Sequence, residues 1–375
     1  MGYVPIKNGL KMLVLSHQIQ IKKPTVKQQQ YFRQACGTAR FAYNWGLEEW
    51  KKQHHAGSKP TALEIKKTFN AIKRIDFPWV FNVSKCAAEQ AFANLGSAFK
   101  RFFNGQGKYP KFKKKGKHDS FYLSNDQFKV GQSRVKIPKL GWVNLTESLR
   151  FSGKILSATV SRQADKWFIS FSVQMETSQL LISENQADVV GVDLGVKNLA
   201  SLSNGETIEG PKPLKKLSRA MHRLQRKQSK GSKGSKRNER QKLKISKLHY
   251  RIRCIRQDSL HKLTHRLCQG FKVICLENLN VKGMMKNHKL AKPISDMGFY
   301  ELKRQLEYKA TRFGNWISKV DQWFPSSKTC SNCGHKKTEL KLSERTYYCN
   351  QCGFEVDRDL NAAINIEREG LRLLA

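Results

Sequence analysis

Toward its C-terminal end the chain carries Cys330-Ser331-Asn332-Cys333 and, after fifteen intervening residues, Cys349-Asn350-Gln351-Cys352, with Asp357-Arg358-Asp359 soon afterwards. Two CxxC pairs at this separation can wrap four thiolates around one tetrahedral zinc ion. Gly334 and Gly353 directly follow the two pairs, as expected of knuckle turns. A redox pair or unrelated buried thiols are the alternatives. With all four ligand positions filled by cysteine, the sequence predicts a closed, structural zinc site, and the nearby acids indicate that it interrupts a catalytic unit.

The balance of charge points to a polyanionic partner. The 375 residues include 70 Lys and Arg but 29 Asp and Glu, a formal net charge of +41. Such an excess repels itself in a compact fold, so a long nucleic acid is the expected partner. The length suits about two or three domains, and a hydrophobic content of 39% supports globular folding.

Neither membrane insertion nor secretion is expected. No apolar stretch approaches the ~18 residues that span a bilayer, and the apolar run at 12–15 is too short for a signal peptide. The nine cysteines are an odd number, and those outside the quartet are scattered among apolar neighbours. Both observations favour a reducing, intracellular compartment.

The first half of the chain predicts a β-rich domain and a helical lobe. Apolar and polar residues alternate over 10–23 and in three runs between 120 and 180, which predicts a small barrel that the strand at 10–23 helps to complete. Over 30–50 and 84–103 the apolar residues recur at steps of three and four, which predicts two helices.

A basic loop separates these regions. It reads Lys108-Tyr109-Pro110-Lys111-Phe112-Lys113-Lys114-Lys115. Lysines neutralise phosphates and aromatic rings stack on bases, so the interleaved pattern favours nucleic-acid binding. A solvated basic loop without a partner is the alternative. The candidate contacts here are Lys111, Lys113, Lys114 and Lys115.

Residues 214–253 form the most basic tract, with sixteen Lys or Arg and one acid, Glu239. Its middle, 229–236, is rich in Gly and Ser and predicts a flexible linker, while the flanks carry apolar residues at helical spacing. Paired helical arms with basic faces can grip a duplex, and a purely solvated face would hardly be this one-sided. The candidate contacts on the first arm are Arg223, Arg226 and Lys227.

Three acids occupy positions that favour catalysis. Asp193 lies in an apolar strand, Glu277 ends another, and Asp359 stands where a final amphipathic helix begins. A carboxylate in an apolar strand must be paired or bind a cation, because desolvating it alone is costly. At the strand ends of an RNase H-like sheet, three such acids can hold two Mg²⁺ ions about 4 Å apart.

Each acid also has a structural interpretation. Asp193 could be a turn or salt-bridge residue, and Glu277 could cap the helix that follows it. Asp359 is a good helix N-cap in any case. The catalytic hypothesis therefore depends on the three acids together.

Motifs along nearly the whole chain resemble those of the TnpB family, also called OrfB, which small insertion-sequence transposons carry. These proteins are similar to compact type V CRISPR effector nucleases. The matching segments are 37–44 (GTARFAYN), 191–197 (GVDLGVK), 276–279 (LENL), 294–296 (ISD), 304–310 (RQLEYKA), 324–330 (FPSSKTC) and 357–366 (DRDLNAAINI).

The resemblance implies a multi-domain α/β fold around an RNase H-like (RuvC) nuclease core. Asp193, Glu277 and Asp359 match the three metal-binding acids, and the second aspartate of Asp-Arg-Asp is preferred over Asp357. The implied domains are a wedge β-barrel (1–23 and 120–186), a helical recognition lobe (24–119), the split RuvC-like core (187–325 and 355–375) with basic helical arms at 211–268, and a zinc-ribbon insert that binds target nucleic acid (326–354).

The activity that the resemblance implies is RNA-guided DNA cleavage. A guide RNA from the transposon end pairs with one strand of a double-stranded DNA target, and the protein reads a short adjacent motif. The implied cofactors are structural Zn²⁺, two catalytic Mg²⁺ and the guide RNA, and the implied location is the cytoplasm of a prokaryotic cell, at the nucleoid. Further candidate nucleic-acid contacts are Arg40, Tyr43, Asn44 and Lys328.

Other functions remain as alternatives. Relatives that have lost catalytic acids act as guided repressors, but this chain has an acid at all three positions. RNase H-like acids can also join DNA ends, which would make the protein a strand transferase. The simplest alternative is a basic RNA-binding protein with a zinc ribbon.

Overall fold

The chain divides into two units at residues 179 and 180. The computed structural model describes residues 12–176, 187–341 and 343–375. The first residues of the expected strand at 10–23, and the ends of the expected wedge domain at 1–11 and 177–186, lie outside the described residues.

The first unit combines strands with three α-helices. In chain order these are β1 (Met12–Gln20), α1 (Val26–His55), α2 (Ala62–Ile72), α3 (Cys86–Phe103), β2 (Ser120–Ser124), β3 (Lys129–Val130), β4 (Arg134–Ile137), β5 (Gly141–Asn144), β6 (Lys154–Gln163) and β7 (Lys166–Glu176). The helix predicted over 30–50 lies within α1, and the helix predicted over 84–103 begins two residues before α3 and ends with it. The helix α2 is additional to the sequence prediction.

The strands of this unit form two antiparallel sheets with the orders β1-β7-β6-β2 and β3-β4-β5. The N-terminal strand pairs with β7, for example Gln20 opposite Phe168, and so joins the later β-rich region as expected. One isolated bridge pairs Ile21 with Leu145. Phe32 of α1 covers the sheet, with its ring 5.1 Å from that of Trp167. The closed wedge barrel stays a prediction.

The second unit contains a sheet, several helices and a small hairpin. Its elements are β8 (Ala187–Asp193), β9 (Ala200–Leu202), β10 (Thr207–Ile208), α4 (Pro213–Ser229), α5 (Lys236–Gly270), β11 (Phe271–Glu277), α6 (Val281–Met284), α7 (Ala291–Met297), α8 (Phe299–Phe313), β12 (Trp316–Val320), β13 (Thr346–Tyr348), β14 (Glu355–Asp357) and α9 (Arg358–Arg372). Within the described residues, no helix is both long and apolar enough to cross a membrane.

The main sheet of this unit has the order β10-β9-β8-β11-β12. Its strands β8, β11 and β12 are parallel. The helix α9 packs directly on β8 and β11 at two glycines that leave no room for a side chain. A Cβ on Gly191 would lie 2.0 Å from the Ala363 carbonyl oxygen, and one on Gly370 would lie 2.3 Å from Cys275 Sγ. This close approach fixes α9 against the two strands that carry the predicted acids.

The two basic arms are α4 and α5, and the flexible-linker prediction for residues 229–236 is wrong. Asn238 is 5% exposed, and its side-chain amide donates to the carbonyls of Gln228 and Gly231 at 3.0 Å each. Ser235 caps α5 by accepting from the Asn238 amide at 3.1 Å. The Gly and Ser residues therefore form a tight helix–helix turn, because a buried asparagine satisfies its carbonyls.

Candidate active site and metal centre

Two of the predicted acids end adjacent parallel strands. Asp193 is the last residue of β8, and Glu277 is the last residue of β11. Leu276 lies opposite Val192 in the register, so the two acids come next to each other at the same edge of the sheet. Neighbouring strands lie about 4.8 Å apart, which places both carboxylates within reach of one group of ions.

The third acid, Asp359, lies in the first turn of α9, but it is not the helix cap. Asp357 holds that position, because its carboxylate accepts from the backbone amides of Asp359 at 2.9 Å and of Leu360 at 3.1 Å. The structural interpretation of Asp359 as an N-cap is therefore wrong. Its own carboxylate is 21% exposed and accepts from Arg358 at 3.0 Å.

The carboxyl of Asp193 lies within the electrostatic influence of the other two acids. Burial, followed by the negative charges of Glu277 and Asp359, raises the pKa of the Asp193 carboxyl from 3.8 to about 7 against the opposing charge of Arg358. Burial also raises the pKa of Glu277. Carboxylates that are crowded and desolvated in this way fit divalent cations, because bound cations would offset the repulsion among them.

Because of this crowding, we predict that the wild-type protein and Asp193→Asn differ in stability by an amount that depends on pH. The unfolded chain releases the Asp193 proton near pH 3.8 and the fold retains it to about pH 7, so the stability of the metal-free protein falls as pH rises between these values. Asp193→Asn removes this ionisation. Without added Mg²⁺ we expect the variant to be more stable than wild type by up to about 4 kcal/mol at pH 8 and nearly equal at pH 4. Melting temperatures at both pH values test this, and an equal difference at the two would contradict it.

A serine and two asparagines, which the sequence analysis missed, connect the acids to the cysteine segment. Ser326 Oγ donates to Glu277 Oε1 at 2.7 Å, and this bond opposes the rise in the pKa of Glu277. The buried Asn365 of α9 donates to the carbonyl of Ser326 at 2.8 Å. Asn361, also buried, accepts from the Ser331 amide at 2.9 Å and donates to the Thr329 carbonyl at 2.7 Å.

One signal could have revealed these asparagines. They lie four residues apart on the inner face of an otherwise apolar helix pattern, where a polar side chain needs a partner. No sequence signal pairs Ser326 with Glu277, because they are 49 residues apart.

The four predicted zinc ligands come together in the structure. Within the described part of the chain, the quartet Cys330, Cys333, Cys349 and Cys352 is the one group of three or more His, Cys, Asp or Glu side chains whose ligand atoms all lie within 4.8 Å of one another. The carboxylates of the three acids are therefore more widely spaced than these sulfurs. Tetrahedral thiolate sites are typical of Zn²⁺.

Two knuckle turns and a short hairpin build this centre. The Gly334 amide donates to the Cys330 carbonyl at 3.0 Å, and the Gly353 amide to the Cys349 carbonyl at 2.9 Å. Both glycines have positive φ, +78° and +68°, as the predicted knuckles require. The fully buried Tyr347 of β13 packs beside the cysteines. β14 pairs with β13 and leads directly into α9.

Three of the predicted nucleic-acid contacts hold the basic loop, or the residues just after it, in place. Arg40 forms an ion pair with Asp119 at 3.3 Å. The Lys113 ammonium lies 4.1 Å from the centre of the buried Tyr43 ring. Asn44 accepts from the Lys113 amide at 2.7 Å and donates to the Lys113 carbonyl at 3.0 Å. In the fold, Tyr43 and Asn44 thus contact the loop and Arg40 contacts Asp119 just after it, and nucleic-acid binding by the three stays a prediction.

The other predicted contacts differ in exposure. Lys328 is partly buried, and its ammonium donates to the Thr338 carbonyl at 2.9 Å. Exposed side chains are Lys111, Lys114 and Lys115 of the loop and Arg223, Arg226 and Lys227 of α4. Phosphate binding by these six exposed side chains stays a prediction.

Three family models match the chain. They are described as "Probable transposase" (OrfB), over residues 170–288, "Cas12f1-like, TNB domain", over 299–366, and "Helix-turn-helix domain", over 15–59. The second covers the cysteine quartet and the start of α9. The third falls on β1 and the single uninterrupted helix α1.

Curated relatives match over nearly the full chain. "Putative RNA-guided DNA endonuclease InsQ" of Escherichia coli (strain K12) is 32% identical over 94% of this chain and 92% of its own length. A "Putative RNA-guided DNA endonuclease" of Streptomyces pristinaespiralis is 32% identical over 93% of this chain and 87% of its own length.

Solved structures share the fold. A Cas12f1 chain from a complex with single-guide RNA and target DNA superposes with a TM-score of 0.56 at 17% identity, covering 90% of this chain and 82% of its own. The mini RNA-guided endonuclease Cas_phi3 superposes with a TM-score of 0.50 at 11% identity, covering 96% and 92%. The fold thus resembles that of these Cas12f1 and Cas_phi3 chains, and it is a mixed α/β architecture with several sheets.

Proposed function

The chain belongs to the TnpB (OrfB) family, and from this membership we propose that it is an RNA-guided DNA endonuclease of a transposon. The likeness to InsQ over 94% of the chain carries the proposal, and the family matches over 170–288 and 299–366 include the three acids and the cysteine quartet. The net charge of +41 suits a single chain that must hold an RNA, a heteroduplex and a displaced DNA strand.

For the chemistry we propose hydrolysis at Asp193, Glu277 and Asp359, which would hold two Mg²⁺ ions. When bound, such a pair of ions activates the attacking water and stabilises the leaving 3′ oxygen. The protein's own contribution is placement. The parallel strands β8 and β11 fix the first two carboxylates, and Asp357 caps α9 so that the Asp359 carboxylate is left for the site.

The cysteine segment supports this placement. Cys330, Cys333, Cys349 and Cys352 would bind a structural Zn²⁺, and the proposed role of their ribbon (326–354) is to bind target nucleic acid and present a strand to the acids. Asn361 and Asn365 tie the start of the ribbon to α9, and Ser326 ties it to Glu277. Folding of the ribbon therefore helps to fix both Glu277 and Asp359.

We also propose for the remaining domains the roles that the sequence analysis predicted. The split wedge domain, the helical lobe and the basic arms would hold guide RNA and heteroduplex. A motif beside the target would be read by the protein, in the cytoplasm of a prokaryotic cell, at the nucleoid.

Co-expression with the flanking transposon DNA tests the proposed function. The purified complex is expected to contain one RNA species, and sequencing that RNA defines the guide. Challenged with a library that carries the matching target beside randomised bases, the complex should cut the DNA next to one short motif. Binding without cutting would indicate a guided repressor, and joining of transposon-end DNA would indicate a strand transferase.

Ser326→Ala tests the link between ribbon and active site. Loss of the hydrogen bond to Glu277 should slow guided cleavage about tenfold, because a hydrogen bond to a charged group is worth about 1.5–3 kcal/mol. It should also move the acidic limb of the pH–rate profile to higher pH, because that hydrogen bond lowers the pKa of Glu277.

The neighbouring Ser327→Ala is the matched control and should cut at the wild-type rate. An unchanged pH profile in Ser326→Ala would show that the serine has no effect on Glu277.

A further inference from the structure

A cavity of about 410 Å³ lies in the second unit, and neither the three acids nor the four cysteines line it. It is formed by the start of α4, by α7 with the residues before it, and by the turn that follows β8. Its lining combines apolar residues, here called the floor, with four lysines. The floor includes Leu214 and Met297, and the lysines are Lys212, Lys215, Lys289 and Lys292. The volume is within the range of small-ligand sites.

The charge of the cavity is positive and largely uncompensated. Asp296 in its wall is 4% exposed, but it accepts from the backbone amides of Leu214 and Lys215 at 2.9 Å each and pairs with Arg256 at 3.5 Å. Its carboxylate is therefore satisfied by other partners. Across the described residues, the ammonium groups of Lys215, Lys289 and Lys292 make no ion pair, and these three side chains are exposed.

The walls of the cavity are fixed before any ligand binds. Asp296 of α7 caps the start of α4, and Arg256 of α5 also donates to the Asp296 carbonyl at 3.1 Å. Gly210 packs against the floor, where an added Cβ would lie 2.3 Å from the Met297 sulfur. A preformed site of this kind loses little ordering entropy on binding.

The cavity lies close to the acids along the chain. Val196 forms part of its wall and follows Asp193 by three residues, so their Cα atoms are at most about 11 Å apart. An apolar floor with a cationic rim suits one nucleotide, whose base contacts the floor and whose phosphates meet the lysines.

We propose that this cavity binds one nucleotide of the DNA strand being cut and so positions that strand beside Asp193. The proposal rests on the proposed function and adds a nucleotide site to it. The lysines act as positioning residues, because they hold the strand and leave the bond cleavage to the acids.

Two test variants distinguish the effect of the cavity's volume from the effect of its lysine charges. Ser218→Trp fills the cavity from α4 and keeps every lysine, with Ser218→Ala as its control. Lys289→Gln with Lys292→Gln removes two exposed cations and carries little risk of unfolding. Lys282→Gln with Lys286→Gln, two exposed lysines of the same segment outside the cavity, is the charge-matched control.

Single-turnover cleavage and target binding are then measured on the protein–guide complexes. We expect both test variants to cut at least about tenfold more slowly, while target affinity in the Asp193→Asn background stays within about twofold. Equal losses of binding and cutting would mean that the lysines hold guide or duplex, and wild-type cutting by both variants would mean that the cavity is unused. Either result overturns the proposal.

Abasic sites placed one at a time identify the occupant. In the wild-type complex, one abasic position in the DNA strand near the cut should slow cleavage, and Ser218→Trp should lose this sensitivity. Sensitivity at a position in the guide RNA, or at none, would overturn the proposal. A wild-type complex that binds its target and never cuts it would instead refute the proposed function, so the two failures are distinguishable.

Discussion

Replacing Asp193 by alanine is expected to lower guided DNA cleavage at least about a thousandfold, while the guide-bound protein still binds matching DNA. The carboxylate lies at the end of β8 beside Glu277 and within the field of Asp359. Its loss would remove a ligand for the proposed ions, and a factor of a thousand corresponds to about 4 kcal/mol of transition-state stabilisation. Gel-based single-turnover cleavage and equilibrium binding on the same complexes measure the two effects separately.

The chain offers a matched control on the same strand. Asp188, near the start of β8, is exposed and pairs with Lys272 at 2.8 Å. Asp188→Ala should cut like wild type, because an exposed ion pair contributes little. If Asp193→Ala also cuts like wild type, the assignment of the acids is wrong.

Cys349→Ser is expected to release zinc and to reduce guided cleavage strongly. Its sulfur lies 3.6 Å from that of Cys333, and its backbone belongs to one of the two knuckles. Structural zinc contributes on the order of 10 kcal/mol to small domains of this kind, so the ribbon should unfold without it. The damage should reach Asp359, because β14 of the ribbon leads directly into α9. Zinc content per chain, by elemental analysis, and cleavage rate are the measurements.

Cys254→Ser is the control for the loss of a thiol, since this cysteine lies on α5 outside the quartet. It should keep zinc and activity. Unchanged zinc content in Cys349→Ser would refute the quartet as a metal site.

Local patterns predicted much of this fold. The spacing of the cysteines and their glycines is a property of a short segment, and the structure brings the four sulfurs together as expected. The apolar runs before Asp193 and Glu277 likewise predicted the strands that these acids end.

What the sequence left unresolved depends on contacts between distant residues. Asp357 and Asp359 are equally plausible caps by composition, and the backbone geometry of the helix start decides between them. Residues 229–236 have the composition of a linker, and the buried Asn238 turns them into a structured turn. Asn44 lies in a segment matched to the family, yet its partner is the backbone of Lys113, 69 residues away. Composition and periodicity carry no information about such pairs.

Guided cleavage of two DNA duplexes, one matching the guide RNA and one of equal composition without the match, tests the central claim most directly. Wild-type and Asp359→Asn complexes are compared with and without Mg²⁺. We predict that the wild-type complex cuts the matching duplex alone, in the presence of Mg²⁺, and that Asp359→Asn binds this duplex without cutting it. Equal cutting of both duplexes, or cutting by Asp359→Asn, would contradict an RNA-guided nuclease that works through these three acids.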